Sequence, residues 1–496
     1  MNDNFTPCRR IFSRRAESEI IKDYILPDSL PDVKKVLYAF CTVRPISQSI
    51  EKDGVRVDGE SCCTVIYQSD KDEISCVDYT SPVSFSEAVK GVRKDNCLTA
   101  VFAKPDISVR LINPRRLSIS QKCICMINID SFDTVEPYID GVQSKSLEYK
   151  TEIGASCHVC GAVEQGAVYS QDIQIPDTMA DAAMPVTVIP SPYITDISVK
   201  DGYATVNANM ELTVLYRTAE EDGGCYRSFT CSSPVTRTIA VECGDGGICR
   251  GDIFVHSLDA DLTPDQSGRM RTLQVDLLYG ISLICTGETR GNYIADIYSP
   301  EFECEASRAE ALCRRLWGSL SCHASTDGRA PLEVLGKEPL EVVLSFAECA
   351  DISVTQDRGK ALARGNITVF CIVKCKEGYE LGQFNIPFRC ECDAKGIPEG
   401  AECEAVCRIK PPCVRFDREN VYADTEVYVD MYFSGEENNT ILTSLRITDV
   451  PVTRQDCSFS VCRLRDGIEK WDVAKRHRVP LSSVRQDGDV LTVFFN

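Results

Sequence analysis

Histidine and tryptophan are scarce in this chain, with four and two residues among 496. The histidines (His158, His256, His323 and His477) lie far apart, so no Ser/His/Asp or paired-carboxylate constellation can be traced and no catalytic residue is assigned. Positive charge is in deficit too: 54 Lys and Arg stand against 74 Asp and Glu, a net −20. A nucleic-acid binder neutralises phosphates with Lys and Arg, so that balance excludes the chain as a whole from that class. Any basic surface has to be local. No stretch approaches the roughly 18 uninterrupted apolar residues that a membrane-spanning helix needs. The opening MNDNFTPCRRIFSRRAESE has no apolar h-region and no small-residue cleavage pattern, so the expectation is a cytoplasmic chain that starts at Met1.

Cysteine is abundant, at 28 residues. In a secreted chain that count would read as a disulfide scaffold, but in a reducing compartment thiols are the default. The length and the 43% apolar fraction allow three to four domains, each with its own core.

Internal repetition organises the rest. After Asp53-Gly54, the run VRVDGESCCTVIY places Val55, Val57, Cys63, Val65 and Tyr67 on one face and polar residues on the other. After Asp201-Gly202, YATVNANMELTVLY alternates in the same way, and KALARGNITVFCIV near Asp357 does so again. Period two over ten or more residues is the mark of a half-buried strand, and Asp-Gly supplies turn chemistry. Downstream of Pro-containing segments a second strand recurs. It carries Leu117, Ile119, Cys123, Cys125 and Ile127 in one copy, and the rows starting at Leu273 and Val421 in the others. Equivalent positions lie 149 and 157 residues apart, a domain spacing rather than a solenoid one. Cys63, Cys123, Cys125 and Cys371 occupy slots held by Leu, Val, Ile or Tyr in sister copies, so they read as small core hydrophobes. Between the copies, CEASRAEALCRRLWGSL (Cys304 to Leu320) has helical spacing of Ala, Leu and Trp317 and is expected to form a short helix and linker. A second linker is expected over Thr151 to Ala167.

The segment Leu26-Pro27-Asp28-Ser29-Leu30-Pro31-Asp32-Val33, followed by Val55-x-Val57-x-Gly59 and Val65-Ile66-Tyr67, resembles the SPOCS domain of spore-coat assembly proteins in endospore-forming bacteria. The second copy keeps a weaker form in Ile175-Pro176-Asp177-Thr178-Met179-Ala180-Asp181, and the third has largely lost it. The last forty residues resemble a LysM module, with Trp471 to Val479 matching its signature helix and turn. The expected fold is therefore mainly β. It comprises three tandem antiparallel β-sandwich or open-barrel domains (17–155, 156–308 and 309–455, the third including the linker helix) and a small α+β module over 456–496.

The tail supports such a module on its own terms. Phe459 to Arg463 reads as a strand, Asp466-x-x-Glu469 has capping-box spacing, and Ile468, Trp471 and Ala474 share one helix face. Pro480 opens a second turn or helix, and Val490 to Phe495 closes with a strand. Ile468-Glu469-Lys470 stands where LysM modules usually carry Asp-Thr-Leu, and that departure from the glycan-lining loops favours a protein ligand. Between Arg463 and Arg485 seven basic residues face three acidic ones, a local +4 that would steer an acidic partner. The candidate partner-binding residues are Lys470, Trp471, Lys475, Arg476, His477 and Arg478, with Trp471 also expected to fill the module core. The plainer reading of Lys475, Arg476 and Arg478 is a solvated helix end whose cations favour the dipole.

The resemblance implies a non-enzymatic scaffold of the sporulating mother cell, recruited to the forespore surface by the morphogenetic ATPase of the coat-basement layer. A peptidoglycan-binding envelope protein and a thiol- or zinc-dependent enzyme are the alternatives. Cys157-His158-Val159-Cys160 is the most metal-like cluster, yet it lacks a paired knuckle, and Gly244-x-Gly246-Gly247 has no helix after it to present to a phosphate. No cofactor or metal is assigned.

Overall fold

The structure is a computed structural model that describes residues 5–133, 135–141, 146–244, 246–336, 338–453, 458–463 and 469–495. Strands occupy 77% of the chain and helix 4%, which settles the class as mainly β. The first six strands are β1 (Cys8–Ile25), β2 (Val33–Glu51), β3 (Gly54–Ser69), β4 (Ile74–Ala88), β5 (Cys97–Asn113) and β6 (Arg116–Phe132). After a short β7 (Tyr138–Gly141) come β8 (Glu148–Gln174), β9 (Ala182–Pro190), β10 (Tyr193–Lys200), β11 (Tyr203–Thr218), β12 (Tyr226–Ala240), β13 (Ile248–Pro264) and β14 (Met270–Tyr298). A third series follows: β15 (Phe302–Pro331), β16 (Pro339–Asp357), β17 (Lys360–Cys375), β18 (Gly378–Asp393), β19 (Glu402–Ile409), β20 (Cys413–Phe416) and β21 (Asn420–Pro451). The tail holds β22 (Phe459–Arg463), α1 (Lys470–His477), β23 (Val484–Asp487) and β24 (Val490–Phe494).

One strand order recurs. Sheets β1-β6-β5 and β2-β3-β4 are followed by β8-β14-β13 with β10-β11-β12, where β9 also pairs with β11, and then by β15-β21-β19 with β16-β17-β18. In every case the first strand of the series pairs with the last, and the hairpin-connected middle strands form the other sheet. Apart from the short parallel contact of β7 with β21, the pairings are antiparallel, and no sheet closes into a barrel. Residues from both sheets of a series meet in one core: Val206, Leu212 and Val214 pack with Leu273, Leu277 and Ile281, and Val369 and Cys371 pack with Val427 and Val429.

At one set of equivalent positions the failure of alternation has a use. Ile66, Leu215 and Ile372 follow Val65, Val214 and Cys371 on the phase that elsewhere is polar, yet each is fully buried. They meet one another in a central cluster with Tyr38, Ile74, Ile189, Tyr226, Leu344 and Tyr379, drawn from all three series. Each junction carries an ion pair: Arg217 with Glu73 at 2.9 Å, Lys35 with Glu380, and Arg227 with Glu341.

The motif behind the family resemblance has a mechanical role. Arg115 threads its guanidinium through the 26–32 loop, donating to the carbonyls of Leu26, Pro27 and Leu30 at 3.1, 2.7 and 2.8 Å and to Asp32 at 2.9 Å. Arg271 repeats this with the carbonyls of Ile175, Pro176 and Met179 and with Asp181. Tyr67 and Tyr216 add hydroxyl bonds to the carbonyls of Pro31 and Ala180. In the third series Leu332 bonds the backbone of Glu419 as Leu26 bonds Arg115, so a glutamate stands where the arginine would be. Loop motif and arginine have gone together.

Three expectations are corrected. Cys304 to Leu320 is not helical but part of β15, which pairs with β21 along its whole length; continuous ladder bonding there outweighs a weak Ala/Leu propensity for helix. The segment 151–167 is likewise not a linker but lies inside β8, paired with β14. The turn before β3 is Lys52-Asp53 rather than Asp53-Gly54: Glu51 pairs with Gly54, and Asp53 itself takes φ 58°, where Gly202 and Gly359 stand in the sister hairpins. The 155/156 and 308/309 divisions therefore fall within strands. β8/β14 runs on beyond β13 as a two-stranded ribbon and β15/β21 runs on beyond β19 with only the short β7 beside it, and these extensions form the seat of the tail. Among the described residues no helix is long and apolar enough to cross a membrane.

Candidate functional site: the C-terminal module

The module places α1 on one face of a small sheet ordered β22-β24-β23. Trp471, Val473 and Ala474 on the helix, Val479 and Val484 beyond it, and Leu491 and Val493 on the closing strand form its core. Asp466 and Ile468 of the expected helix start lie outside the described residues. Among the described residues the helix begins after Glu469, whose N–H donates to the Asp472 carboxylate at 2.8 Å, satisfying an otherwise orphaned first-turn donor. Its end is set by Arg478 at φ 53°, in the left-handed region. The second helical piece expected after Pro480 is a single 3₁₀ turn, Leu481–Ser483.

This core is completed from elsewhere. Tyr298, at the end of β14, is fully buried in it, with its ring 5.0 Å from that of Trp471 and its hydroxyl donating to the Val479 carbonyl at 2.7 Å. Asp296 accepts from Trp471 Nε1 at 2.9 Å and from Lys475 Nζ at 2.6 and 2.8 Å, and also pairs with Arg308. Arg478 reaches Glu303 at 2.8 Å, and Lys150 reaches Glu469 at the same distance. Burial alone would raise the Asp296 carboxyl, but the bonds from Lys475 and Trp471 and the charges of Lys475 and Arg308 outweigh it and hold the group below its ordinary value.

The six candidate residues therefore divide. Trp471, Lys475 and Arg478 face the 296–303 segment and fasten the module to the platform. Arg476 is exposed, Lys470 is half-buried, and neither makes an ion pair with a described residue. His477 is half-buried between the Phe495 ring, 5.6 Å away, and the Cys462 sulfur, 3.9 Å from Nε2, and its Nδ1 has no partner among the described residues. Of the other basic residues in the local excess, Arg463 and Arg485 are exposed and Arg465 lies outside the described residues.

The opposite face of the sheet was not singled out by the sequence. The registers Phe459↔Phe494, Val461↔Thr492 and Arg463↔Val490, with Arg485↔Thr492 beside them, put these side chains on one side. Phe459 and Val461 are 61% and 58% exposed, and Phe494 and Val490 are 42% and 39% exposed. The alternation held the signal: VLTVF is apolar on both phases, and FSVCR puts Phe459 and Val461 on the phase opposite Cys462, which a one-sided sheet does not require.

His477 gives the module an acid sensitivity. Burial first, and the Arg476 charge second, press its imidazole below the usual 6.5. A histidine with a lowered folded value contributes stability that is present above the unfolded value and is lost as pH falls through that value toward the folded one. In a Trp317→Phe chain, the melting transition followed by Trp471 fluorescence is expected to move down between about pH 7 and about pH 5. His477→Gln should remove most of that movement.

The metal-like cluster does not assemble. On β8, Cys157 packs beside Cys8, the His158 ring lies tilted against Phe132 at 5.1 Å, and Cys160 enters a different core, so the metal-like tetrapeptide diverges. Among the described residues no group of three or more His, Cys, Asp or Glu side chains is arranged to hold a metal ion. Cys63, Cys123, Cys125 and Cys371 are buried in the slots expected of hydrophobes, but Cys249 and Cys285 are not free thiols; they are joined across β13 and β14. No protein-family profile, curated protein sequence or solved structure matches the chain.

Proposed function

We propose that this chain is a non-enzymatic scaffold of endospore coat assembly that works on the mother-cell side of the forespore. It docks through its LysM-like tail onto the morphogenetic ATPase of the coat-basement layer. The three strand series are read as three SPOCS-like modules, and the spore-coat assignment rests on the resemblance carried by the 26–33 and 55–67 segments. The single observation that carries docking is the outer sheet face of the tail. Phe459, Val461, Val490 and Phe494 lie there in contact register, flanked by Arg463 and Arg485, on a module whose other side is anchored to the platform. A contiguous exposed apolar patch with a basic rim suits a protein partner bearing an acidic surface. Repeated β modules on one chain add further weak contacts that raise avidity.

The experiment is capture from a sporulating-cell lysate with the immobilised full chain. The wild type is expected to retain the coat-basement ATPase, and a Phe459→Ser/Val461→Asp double variant to retain at least about tenfold less, a loss of ~1.4 kcal/mol. Equal retention by both would remove the sheet face from the proposal. Co-sedimentation of the chain with purified peptidoglycan, combined with no capture of the ATPase, would replace the docking reading with the envelope one.

A further inference from the structure

Two sequence features that the docking reading leaves unused, the CHVC tetrapeptide and the Cys-Gly-x-Gly-Gly loop, come together in the fold. Cys160 on β8, Cys285 on β14 and Cys249 on β13 are consecutive partners across three adjacent strands. The first series has Phe12, Ile129 and Leu98 in the corresponding row, so the fold itself does not require sulfur there. A fourth cysteine, Cys243, enters from the loop that follows β12 and shares a hydrogen bond with the Cys160 thiol. The loop glycines make room for it: a Cβ on Gly247 would come within 2.3 Å of the Cys243 sulfur, and one on Gly287 within 3.1 Å. All four sulfurs belong to one buried cluster, while Glu242, Gly244 and Gly246 beside Cys243 are exposed. Cys249 and Cys285 are already a disulfide, and Cys160 and Cys243 are thiols.

We infer that Cys160 and Cys243 are a thiol–disulfide exchange site, with Cys243 as the attacking sulfur and Cys160 as the resolving one, and with low-molecular-weight disulfides as the co-reactant. The Cys243 thiolate attacks one sulfur of a small disulfide RSSR, forming a Cys243–S–S–R bond and releasing RS⁻. Cys160 gives its proton to water, and its thiolate attacks the Cys243 sulfur and expels the second RS⁻. Two protein thiols are oxidised, one small disulfide is reduced to two thiols, and the protons leave to solvent. The hydrogen bond from Cys160, its largest influence, and the Gly244 N–H bring the Cys243 thiol down to about 7 against the opposing effect of burial, which suits attack near neutral pH. Closure ties the loop after β12 to β8, beside the existing bond between β13 and β14, so the two sheets of this series are joined at one end.

The test uses the full chain incubated with oxidised glutathione, followed by alkylation, digestion and peptide mass mapping. The expected result is a Cys160–Cys243 linked peptide in the wild type. Cys160→Ser should accumulate glutathione on Cys243, and Cys243→Ser should leave Cys160 unmodified. The wild-type rate should rise several-fold between about pH 6 and about pH 7, as the thiolate fraction grows. Full alkylation of both cysteines after treatment would overturn the assignment. So would equal glutathione loading of Cys160 in Cys243→Ser. Should either variant fail to fold, the linked peptide and the pH-dependence of the wild-type rate decide.

Discussion

Leu215→Ala is expected to cost about 3 kcal/mol in denaturant unfolding, within the range of about 2–5 kcal/mol for a fully buried leucine whose surroundings only partly collapse. The side chain lies on the outer face of β11, where a single sandwich would leave it in water. Ile66 and Ile372 occupy the same position in the other series, and all three are fully buried in the shared cluster. The aromatic residues around them interlock: Tyr38 stacks on Phe346 at 4.7 Å, Tyr226 meets Tyr379 edge to face at 5.8 Å, and the Tyr226 hydroxyl accepts from the Ile74 N–H at 3.0 Å. Leu215→Asp is the sharper test, because a carboxylate there would be buried without a cation, and several kcal/mol of desolvation would act against the junction. A larger radius of gyration by small-angle scattering, with strand content retained in circular dichroism, is the expected outcome. Tyr203→Ala, on an exposed position of the same strand, should stay within about 0.5 kcal/mol of the parent. An unchanged radius for Leu215→Asp would mean that the three series hold together without the central cluster.

How much of this was legible depends on the reach of each signal. Period two in β3, β11 and β17 is local, and it named the buried faces residue by residue, including cysteines that stand in for valine and leucine. Val65-Ile66-Tyr67, Val214-Leu215-Tyr216 and Cys371-Ile372-Val373 also carried the hub, since three consecutive apolar residues in an alternating strand need both faces covered. What covers the second face is another copy of the same strand, and nothing within one strand states that. The Ala and Leu spacing over 304–320 misled because β15 takes its conformation from β21, more than a hundred residues downstream. In the tail, Trp471 was visible as core, but the residues that complete that core, Asp296 and Tyr298, lie some 175 positions earlier and appear in the sequence only as the end of an alternating strand.

That distant dependence sets the second large expectation. The tail, 456–496, sits at the size of roughly 40 residues below which a domain seldom builds a sufficient core alone, and Tyr298 is lent to it by the platform. Trp471→Ala removes the ring that packs on Tyr298 and the donor to Asp296, and it should cost about 3–5 kcal/mol of local stability. A segment this small has little more than that to lose. Residues 469–495 should therefore lose amide-exchange protection and become trypsin-sensitive at Lys475 and Arg478, while the melting temperature of the platform stays within a degree or two. Trp471→Phe separates the two contributions, since it keeps the aromatic contact and removes only the bond to Asp296, at about 1–2 kcal/mol. Asp296→Asn weakens the same contact from the platform side without touching the tail, by discharging the partner of Lys475 and Arg308. If docking uses the outer sheet face, all three variants should weaken partner capture in the order of their effect on tail protection, because Phe459, Val461, Val490 and Phe494 share one surface only while the sheet behind them is folded. Undiminished capture by Trp471→Ala, with the tail measurably unprotected, would mean that the partner reads a linear segment and not this face.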